Sequence, residues 1–346
     1  MSRKKRMIQV GCGGFGAYWL EIIMPRVSSF AEVVAAVDVN PEALKNAQRY
    51  VGLPPEKCYI DLKAAIEENE ADFVNVVVPM HLHETIINEA FDAGLDVLCE
   101  KPLGHNMESC VRIYNKAKEA GRKLAVTMSH RFEVEKQTVE NMVKSGSYGQ
   151  ANYVVSRLTM KRNLNAHEES DAETMISSAL IHNMDTIRGI CGCNVRKVYA
   201  DCWISQPDIS ASPSGLMIME MENGSRAVLE ESFANGSAMD GWSDEYLRVE
   251  CTNATIVADH RKVTVKSDMG YPYPREAAIP LMENRYWDHA LIIRQFVDWL
   301  DGGVPPVTWV EENLQCCAMV FAAIESVKTG QVVEVQEYLK KFIRQA

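Results

Sequence analysis

Residues 1–128 alternate short apolar runs with amphipathic stretches of helical period. The run at 73–78, Phe-Val-Asn-Val-Val-Val, is nearly continuous and rich in β-branched residues, which is typical of a central strand covered on both faces. Alternation of strands with helices indicates βαβ units and a parallel sheet. We therefore predict a doubly wound, Rossmann-type α/β domain over 1–128. Its strands are predicted at 7–10, 33–37, 58–60, 73–78, 95–99 and 123–128.

The pattern changes after residue 129. One helix is predicted at 134–145, and longer strands separated by Gly, Asn and Pro turns follow it. Such an order favours a mostly antiparallel open sheet covered by helices, so 129–346 is predicted to be an α+β domain for substrate binding and oligomerisation. The strands are predicted at 153–160, 196–204, 216–221, 225–233 and 246–259, and the helices at about 173–190, 286–301 and 309–329.

The strand at 216–221 has apolar side chains on both faces. Alternation places Met217, Met219 and Met221 on one face. Leu216 and Ile218 lie on the other face. One face is expected to pack on helices and the other on a second subunit, so we predict a homo-oligomer, a dimer or tetramer, formed through the C-terminal sheet.

Composition excludes several classes of partner. The chain has 346 residues, 47% hydrophobic and 24% charged, with a formal net charge of −11. An acidic surface does not attract nucleic acid or an anionic membrane, and no run reaches the length of a membrane span. The ten cysteines are scattered without zinc-site spacing, so we expect reduced thiols, a cytoplasmic location and no metal.

A glycine-rich turn follows the first predicted strand and opens a helical pattern. It contains Gly11, Gly13 and Gly16 in the spacing G-x-G-x-x-G, with Gly14 and Phe15 between them. Glycines there permit a tight turn, close approach of the backbone to a pyrophosphate, and close packing of helix on strand. The loop predicts a dinucleotide site, and the alternative is an ordinary tight turn between strand and helix.

Asp38 ends the second predicted strand, about 20 residues beyond the glycine turn. A carboxylate at this position accepts the ribose hydroxyls of NAD and repels the 2′-phosphate of NADP. The sequence therefore favours NAD over NADP. The alternative is that Asp38 only begins the turn that follows.

A lysine follows the strand at 95–99, within the tripeptide Glu100-Lys101-Pro102. The carboxyl ends of strands in such sheets border the ligand crevice, so Lys101 is a candidate to hold or transfer the proton of a substrate hydroxyl. Partial burial would lower its pKa toward the working range. The alternative is a surface lysine paired with Glu100.

The predicted helix at 173–190 carries a polar stripe. Ser178, His182 and Asp185 are spaced four and three residues apart, so they project from one side. His182 has an ordinary titration range suited to proton transfer near neutral pH. The alternative is a structural histidine with satisfied hydrogen bonds.

Together these features resemble the Gfo/Idh/MocA oxidoreductase family, the group of glucose-fructose oxidoreductase and inositol dehydrogenase. The resemblance covers nearly the whole chain and implies that Lys101 and His182 are the catalytic pair. It further implies that the cofactor is bordered by Asp38, Pro79, His83, Glu100, Lys101, Arg131 and Tyr286 in addition to the glycine turn.

The chain departs from this family at one position. Many members carry D-x-G-x-H in this helix, whereas here Ser178 stands in the place of the aspartate. A serine hydroxyl can hydrogen-bond a substrate but cannot take its proton at neutral pH. Proton removal would therefore depend more on Lys101 and His182, and the substrate could differ from inositol.

The substrate is the least specified part of the sequence. Its expected contacts are Ser178, Arg157, Arg162, Asn163 and His167, and the alternative for the loop among them is a solvated segment. Trp242 could stack on a sugar or only pack. The leading hypothesis is an NAD-dependent enzyme that interconverts a secondary alcohol and a ketone on a sugar, polyol or glycoside. The alternatives are glycoside cleavage through transient oxidation by NAD, and a non-catalytic NAD-bound sugar sensor.

Overall fold

The computed structural model describes residues 3–161, 175–206, 210–237, 239–267 and 275–344. The chain packs as two units, one of Met1–Met128 with His289–Cys317 and the other of Ser129–Asp288 with Ala318–Gln345. The sequence predicts one domain over 129–346, but the segment 289–317 packs with the first unit. Val126 donates its N–H to the carbonyl of Thr308 at 3.0 Å, and Ala125 forms an isolated antiparallel bridge with Trp309. The segment therefore pairs with the chain at 125–126.

The first unit is built on six parallel strands in the order β3-β2-β1-β4-β5-β6. This order is the doubly wound arrangement and confirms the predicted Rossmann-type fold. The elements are β1 (Lys5–Val10), α1 (Gly14–Tyr18), a π-helical turn (Trp19–Ile23), α2 (Met24–Val27), β2 (Ala31–Val37), α3 (Pro41–Val51), β3 (Cys58–Tyr59), α4 (Leu62–Glu68), β4 (Phe73–Val76), α5 (His83–Asp92), β5 (Asp96–Cys99), α6 (Met107–Ala120) and β6 (Leu124–Val126).

The sequence marks the ends of these helices with side chains that satisfy free backbone groups. Asn106 caps α6 by accepting from the N–H of Ser109, whose hydroxyl in turn accepts from the N–H of Asn106. Gly121 ends the helix in the left-handed conformation. The pattern at 107–120, followed by Gly121, predicts a helix, and the observed bounds of α6 coincide with it.

The second unit contains a nine-stranded sheet in the order β14-β13-β12-β11-β7-β10-β9-β8-β15. Among the strands that the structure describes in this sheet, only β7 and β10 pair in parallel, so the prediction of a mostly antiparallel sheet is confirmed. The described elements that follow β6 along the chain are α7 (Val134–Lys144), β7 (Ala151–Thr159), a π-helical turn (Ile176–Leu180), α8 (Ile181–Cys191), β8 (Val195–Gln206), β9 (Ser210–Met221), β10 (Arg226–Ser232), β11 (Tyr246–Cys251), β12 (Thr255–Asp259), β13 (Lys262–Ser267), β14 (Arg275–Ile279), α9 (Asp288–Leu300), α10 (Val310–Thr329), β15 (Val333–Glu334) and α11 (Val335–Ile343). Of these, α9 and the first part of α10 belong to the segment that packs with the first unit.

The single strand predicted at 246–259 is two strands, β11 and β12, that pair antiparallel. The chain reverses at 252–254, where Cys251 donates its N–H to the carbonyl of Ala254 at 2.8 Å. Apolar alternation on both sides hides this turn, because a hairpin and a continuous strand have the same period of two. Strands β13, β14 and β15 and helix α11 were not predicted from the sequence.

The two faces of β9 differ in burial as the alternation predicts. Met217, Met219 and Met221 are fully buried, whereas Leu216 is 41% exposed and Ile218 is 48% exposed. On neighbouring strands Tyr199 lies beside Ile218, and Val228 lies on its other side. The outer face of the sheet therefore presents a row of apolar side chains across β8, β9 and β10.

Among the described helices, none is both long enough and apolar enough to cross a membrane.

Candidate functional site

The glycine turn has the geometry that a dinucleotide cradle requires. Gly11 has φ +92°, and a Cβ placed on it would lie 1.9 Å from the carbonyl oxygen of Val77. A Cβ on Gly16 would lie 2.3 Å from the carbonyl oxygen of Gly11. The absence of a side chain at these two glycines lets β1, the end of β4 and the helical segment 14–27 approach one another closely. Gly14, in contrast, faces open space with φ +47°. The turn therefore leaves the backbone at 13–15 accessible, and Phe15 is half exposed above it.

Asp38 is fixed beside the glycine turn by its backbone. One carboxylate oxygen accepts from the N–H of Cys12 at 2.8 Å, and the other accepts from the N–H of Asn40 at 2.8 Å. The side chain thus joins the end of β2 to the turn after β1 at a partly exposed rim. Each carboxylate oxygen has a second lone pair for a hydroxyl donor. This placement suits the recognition of a ribose.

Glu100 is an internal anchor of the first unit. Its buried carboxylate accepts from Trp19 Nε1 at 2.9 Å, contacts His289 Nε2 at 3.4 Å, and accepts from the N–H of Lys101 at 3.2 Å. Burial acts to raise its pKa, but the hydrogen bond and charge of His289 and the charge of Lys101 outweigh burial and lower the pKa below its ordinary value. The helical segment after the glycine turn is therefore joined to the backbone of Lys101 through the carboxylate of Glu100.

Removal of the Trp19 donor tests this anchor. We expect Trp19→Phe to lower the free energy of unfolding by about 2–3 kcal/mol, because a buried charged acceptor loses a hydrogen bond. The measurement is urea denaturation of Trp19→Phe, Glu100→Gln and the double variant. A coupling energy near zero in this double-mutant cycle would contradict direct pairing of the two side chains.

Lys101, Pro79 and His83 lie at the carboxyl ends of β4 and β5. Lys101 is half-buried and Pro79 is exposed, whereas His83 is buried. His83 Nε2 lies 2.9 Å from the carbonyl of Val78 and Nδ1 lies 2.9 Å from that of Pro102. Burial lowers the pKa of His83, although these carbonyls oppose the shift. The histidine bridges the two loops, so the structure gives it a scaffolding contact next to Lys101.

In the second unit, His182 lies on the first turn of α8 and is buried. Its ring stacks on that of His130, with centroids 4.3 Å apart and an interplanar angle of 18°. Trp242 packs edge-on against both imidazoles, at 4.5 Å from His130 and 5.9 Å from His182. The three rings form one aromatic group, which we call the imidazole stack.

The imidazole stack rests on a buried ionic cluster. His130 Nδ1 lies 3.0 Å from Glu245 Oε1, and Lys136 Nζ lies 2.9 Å from Glu245 Oε2 and 2.8 Å from Glu133 Oε2. The second oxygen of Glu133 accepts from the hydroxyl of Ser243. Burial acts to raise the pKa of Glu245, but the charges of Lys136 and His130 hold it well below its usual range.

The pKa of Glu133 is shifted in the opposite direction to that of Glu245. Burial, together with repulsion from Glu245 and against the pull of Lys136, raises its pKa to about 7. A carboxyl whose pKa is higher in the folded than in the unfolded state binds more protons when folded. Its contribution to stability is therefore fully present below the unfolded value of 4.5 and is lost as the pH rises through the folded value.

A comparison of Glu133→Gln with the parent tests this linkage. Gln cannot ionise, so the stability of the variant relative to the parent should rise by about 1–3 kcal/mol between pH 5 and pH 8. The measurement is urea denaturation at a series of pH values, with the exposed Glu337→Gln as the control. A stability difference independent of pH would show that Glu133 titrates normally.

Within the described residues, His130, Glu133 and Glu245 are the group whose ligand atoms lie close enough to hold a metal ion. The ammonium of Lys136 already contacts both carboxylates and lies 3.4 Å from His130 Nδ1. A metal ion would have to displace this cation from among the same oxygens. The cluster is therefore better described as an ion network centred on lysine.

Two predicted binding arginines are engaged with carboxylates of the second unit. Arg131 donates to both oxygens of Glu140, at 3.1 and 3.0 Å, and lies 3.8 Å from Asp185. Arg157 donates to both oxygens of Asp240, at 3.0 and 2.9 Å. These bidentate pairs give both guanidinium groups structural partners, so their roles toward cofactor and substrate stay predictions.

The remaining predicted contact residues lie in several different elements and loops. Ser178 is half-buried and lies on the π-helical turn that precedes α8, a geometry that shifts it from the regular helical spacing to His182. Asp185 lies beside Arg131 and Arg188. Tyr286 is half-buried and has the guanidinium of Arg285 5.3 Å from its ring centroid. Arg162, Asn163 and His167 lie outside the described residues.

The sequence analysis did not identify the groups that surround the candidates. Trp19 and His289 were missed because they are distant in sequence from Glu100. Glu133 and Lys136 have the spacing of an ion pair on one helical turn, and this spacing after His130 was a usable signal. Glu245 carries no local signal, since its partners come from another element.

Comparisons with known proteins cover both units. The model of the Gfo/Idh/MocA oxidoreductase family with an NAD-binding Rossmann fold matches residues 5–128, and the model of the Gfo/Idh/MocA C-terminal domain matches residues 137–257. The uncharacterized protein y4oX of Sinorhizobium fredii is 34% identical over 97% of both chains. Inositol 2-dehydrogenase of Corynebacterium glutamicum is 29% identical over 89% of this chain and 97% of its own.

Solved structures share the fold. An oxidoreductase from Agrobacterium radiobacter, crystallised with NAD+, L-tartaric acid and magnesium, matches with a TM-score of 0.86. The two chains are 19% identical, and the match covers 97% of this chain and 99% of the other. The likeness therefore extends over both units.

Proposed function

Because the chain belongs to the Gfo/Idh/MocA oxidoreductase family, we propose that it is an NAD-dependent enzyme that interconverts a secondary alcohol and a ketone on a sugar, polyol or glycoside. The observation that carries this proposal is the pair of hydrogen bonds, both to Glu100, that connects the segment after the glycine turn with Lys101. Trp19, on the helix after the turn, holds Glu100, and Glu100 holds the backbone of Lys101. A cofactor cradle and a candidate proton carrier are thereby fixed within the same unit.

The residues of the first unit fit a bound dinucleotide. Gly14 faces open space within the glycine turn, which suits a pyrophosphate, and Asp38 offers its carboxylate to the ribose hydroxyls. NAD, when bound, supplies a nicotinamide carbon that accepts or returns a hydride. We assign the preference for NAD over NADP to the charge of Asp38.

The proton of the reacting hydroxyl is assigned to Lys101 and His182. The ammonium of Lys101 can donate a hydrogen bond to the hydroxyl oxygen, and its neutral amine can take the proton. His182, as a neutral imidazole, can accept a proton near neutral pH. Ser178 is assigned to hydrogen-bond a substrate hydroxyl, since its own hydroxyl cannot act as a base.

The substrate class is supported by the relatives. Inositol 2-dehydrogenase, by its name, acts on a cyclic polyol, and it aligns with nearly all of its own length. An acidic chain with a formal charge of −11 favours a neutral polyhydroxylated substrate over a polyanion.

A panel of polyols, sugars and glycosides tests the proposal. The protein is incubated with NAD and each alcohol, or with NADH and each ketone, and the absorbance of the reduced nicotinamide is followed. We expect reduction of NAD with at least one polyol or sugar. Release of a free aglycone without accumulation of NADH would instead indicate glycoside cleavage, and binding of NAD without any turnover would indicate a sensor.

The outer face of the C-terminal sheet supports self-association, and we propose a second copy of this chain as its occupant. The row of Tyr199, Leu216, Ile218 and Val228 is apolar and partly exposed. We expect Leu216→Lys with Ile218→Lys to shift the molar mass measured by light scattering to that of a smaller species. Val304→Lys, at a site that is 83% exposed, is the control. A parent protein that is monomeric at micromolar concentration would contradict this proposal.

A further inference from the structure

The imidazole stack and its ionic cluster place several titratable groups in one buried volume. Two histidine rings lie parallel at 4.3 Å, and one of them contacts a carboxylate at 3.0 Å. The N–H bonds of an imidazole lie in the plane of its ring, so two nearly parallel rings cannot hydrogen-bond each other. The two histidines therefore interact through charge and packing. Two charges about 4 Å apart repel by about 4 kcal/mol at an effective dielectric constant of about 20. The stack therefore takes up one proton far more easily than two.

The contacts decide which group of the pair carries that proton. Glu245 accepts from His130 Nδ1 and stabilises a positive charge on that ring. Lys136 opposes this charge from 3.4 Å, but it is itself paired with Glu245 and Glu133. These contacts favour His130 or Glu133 over His182 as the site of an additional proton.

The other charged groups on elements packed against α8 are largely paired. Arg131 pairs with Glu140, Arg157 pairs with Asp240, and Asp185 lies between Arg131 and Arg188. Glu231 on β10 is also buried on that side. Besides His182, the charged and titratable groups on these elements and on the adjoining loop are Asp185, Arg188, Cys191, His130, Arg131, Glu133, Glu135, Lys136, Glu140, Lys144, Tyr153, Arg157, Arg226, Glu230, Glu231, Asp240, Asp244 and Glu245.

We propose that His130, held by Glu245 and Lys136, is a positioning residue that keeps His182 neutral and oriented by taking up the proton that His182 would otherwise bind. The raised pKa of Glu133, about 7, supports this proposal because it shows a second proton-binding group in the same cluster. The inference deepens the proposed function, in which His182 acts as a base, but it concerns the protein without substrate.

The proposal explains how His182 could act as a base without a carboxylate one turn before it. Ser178, at that position, carries no charge, so in this proposal the carboxylate that acts on the imidazole is provided by another residue. Glu245 supplies it through His130 from another element of the second unit. The ring of His130 also fixes the plane of His182 by stacking, and Trp242 limits the tilt of both rings.

Titration of the histidine ring carbons by NMR tests the proposal in the protein alone, with His182→Gln used to assign the resonance. We expect the midpoint of His182 to lie below its ordinary value of about 6.5. His130→Phe keeps a ring for the stack but cannot bind a proton, so the midpoint of His182 should rise by about 1 unit or more. A change below about 0.3 units would overturn the proposal, because packing alone would then explain His130.

His130→Asn gives an independent reading if the phenylalanine variant fails to fold. It retains a side-chain N–H for Glu245 but cannot carry a charge, and we expect the midpoint of His182 to rise here also. His260→Asn, at an exposed histidine paired with Asp259, is the control and should leave His182 unchanged. An unchanged midpoint in a folded His130→Asn would equally overturn the proposal.

Enzyme kinetics separate this proposal from the proposed function. If an active substrate is found, the acidic limb of log kcat against pH should move to higher pH in His130→Phe, with the KM for NAD unchanged. Absence of any dehydrogenase activity would remove the proposed function and leave the NMR result intact. Activity with an unmoved acidic limb and an unmoved His182 midpoint would remove only the role of His130.

Discussion

Replacement of Lys101 by alanine is expected to lower kcat by about 10²–10⁴-fold, the range typical for loss of a general acid or base. Lys101 follows Glu100, whose carboxylate is fixed by Trp19 and His289 and accepts from the backbone N–H of Lys101. The backbone position is therefore set by groups that the substitution leaves in place. The loss should be confined to proton transfer, and the measurement is kcat together with the Kd for NAD.

Cofactor binding is the internal control for Lys101→Ala, because the glycine turn and Asp38 do not depend on the ammonium group. Lys123→Ala serves as a matched variant in the same unit, since Lys123 bonds the carbonyl of Trp299 rather than the β5 end. It should retain turnover. Unchanged kcat in Lys101→Ala would reject the proton-handling role, and a Kd for NAD raised in parallel would indicate a binding role instead.

The second large effect is expected from the rim of the cofactor cradle. Asp38→Ser combined with Val39→Arg should change the ratio of kcat/KM for NAD to that for NADP by about 10²–10³-fold in favour of NADP. The substitution removes a carboxylate that repels a 2′-phosphate and adds a guanidinium that binds one. Val39 is 87% exposed, so an arginine side chain at this position can extend into solvent without displacing packed groups.

Two single variants separate the parts of this effect. Val39→Arg alone keeps Asp38 and should leave NAD preferred, while Asp38→Asn should weaken NAD binding and reduce the discrimination against NADP. Because Asp38 also accepts from the N–H groups of Cys12 and Asn40, thermal unfolding of each variant is needed beside the kinetics. Equal use of both cofactors by the parent protein would contradict the assigned role of Asp38.

Local sequence patterns predicted most of the fold. The observed bounds of α6 agree with the helix predicted at 107–120 before Gly121. The burial of Met217 and the exposure of Ile218 follow from the period of two along β9. The hairpin between β11 and β12 was missed because a turn without glycine or proline does not interrupt that period.

The candidate chemistry was identified where the signal is contiguous. The glycine turn, Asp38 and the tripeptide that contains Lys101 each combine a motif with a predicted strand end. The surroundings of His182 were not identified, since stacking on His130 and the approach of Glu245 join residues more than 50 positions apart. Such contacts leave no periodic trace in the chain.

The sequence by itself determined the two kinds of sheet, the glycine-rich cradle and the residue types available for proton transfer, because strand period, helix caps and turn glycines act over a few neighbouring residues. Only the tertiary structure decided which charges share a buried volume. The anchoring of Glu100 by Trp19 and the ionic cluster under His182 arise from chain reversals that bring distant elements together. The reason is physical: pairing in a low-dielectric interior depends on distance in space and on desolvation, neither of which is fixed by separation along the chain.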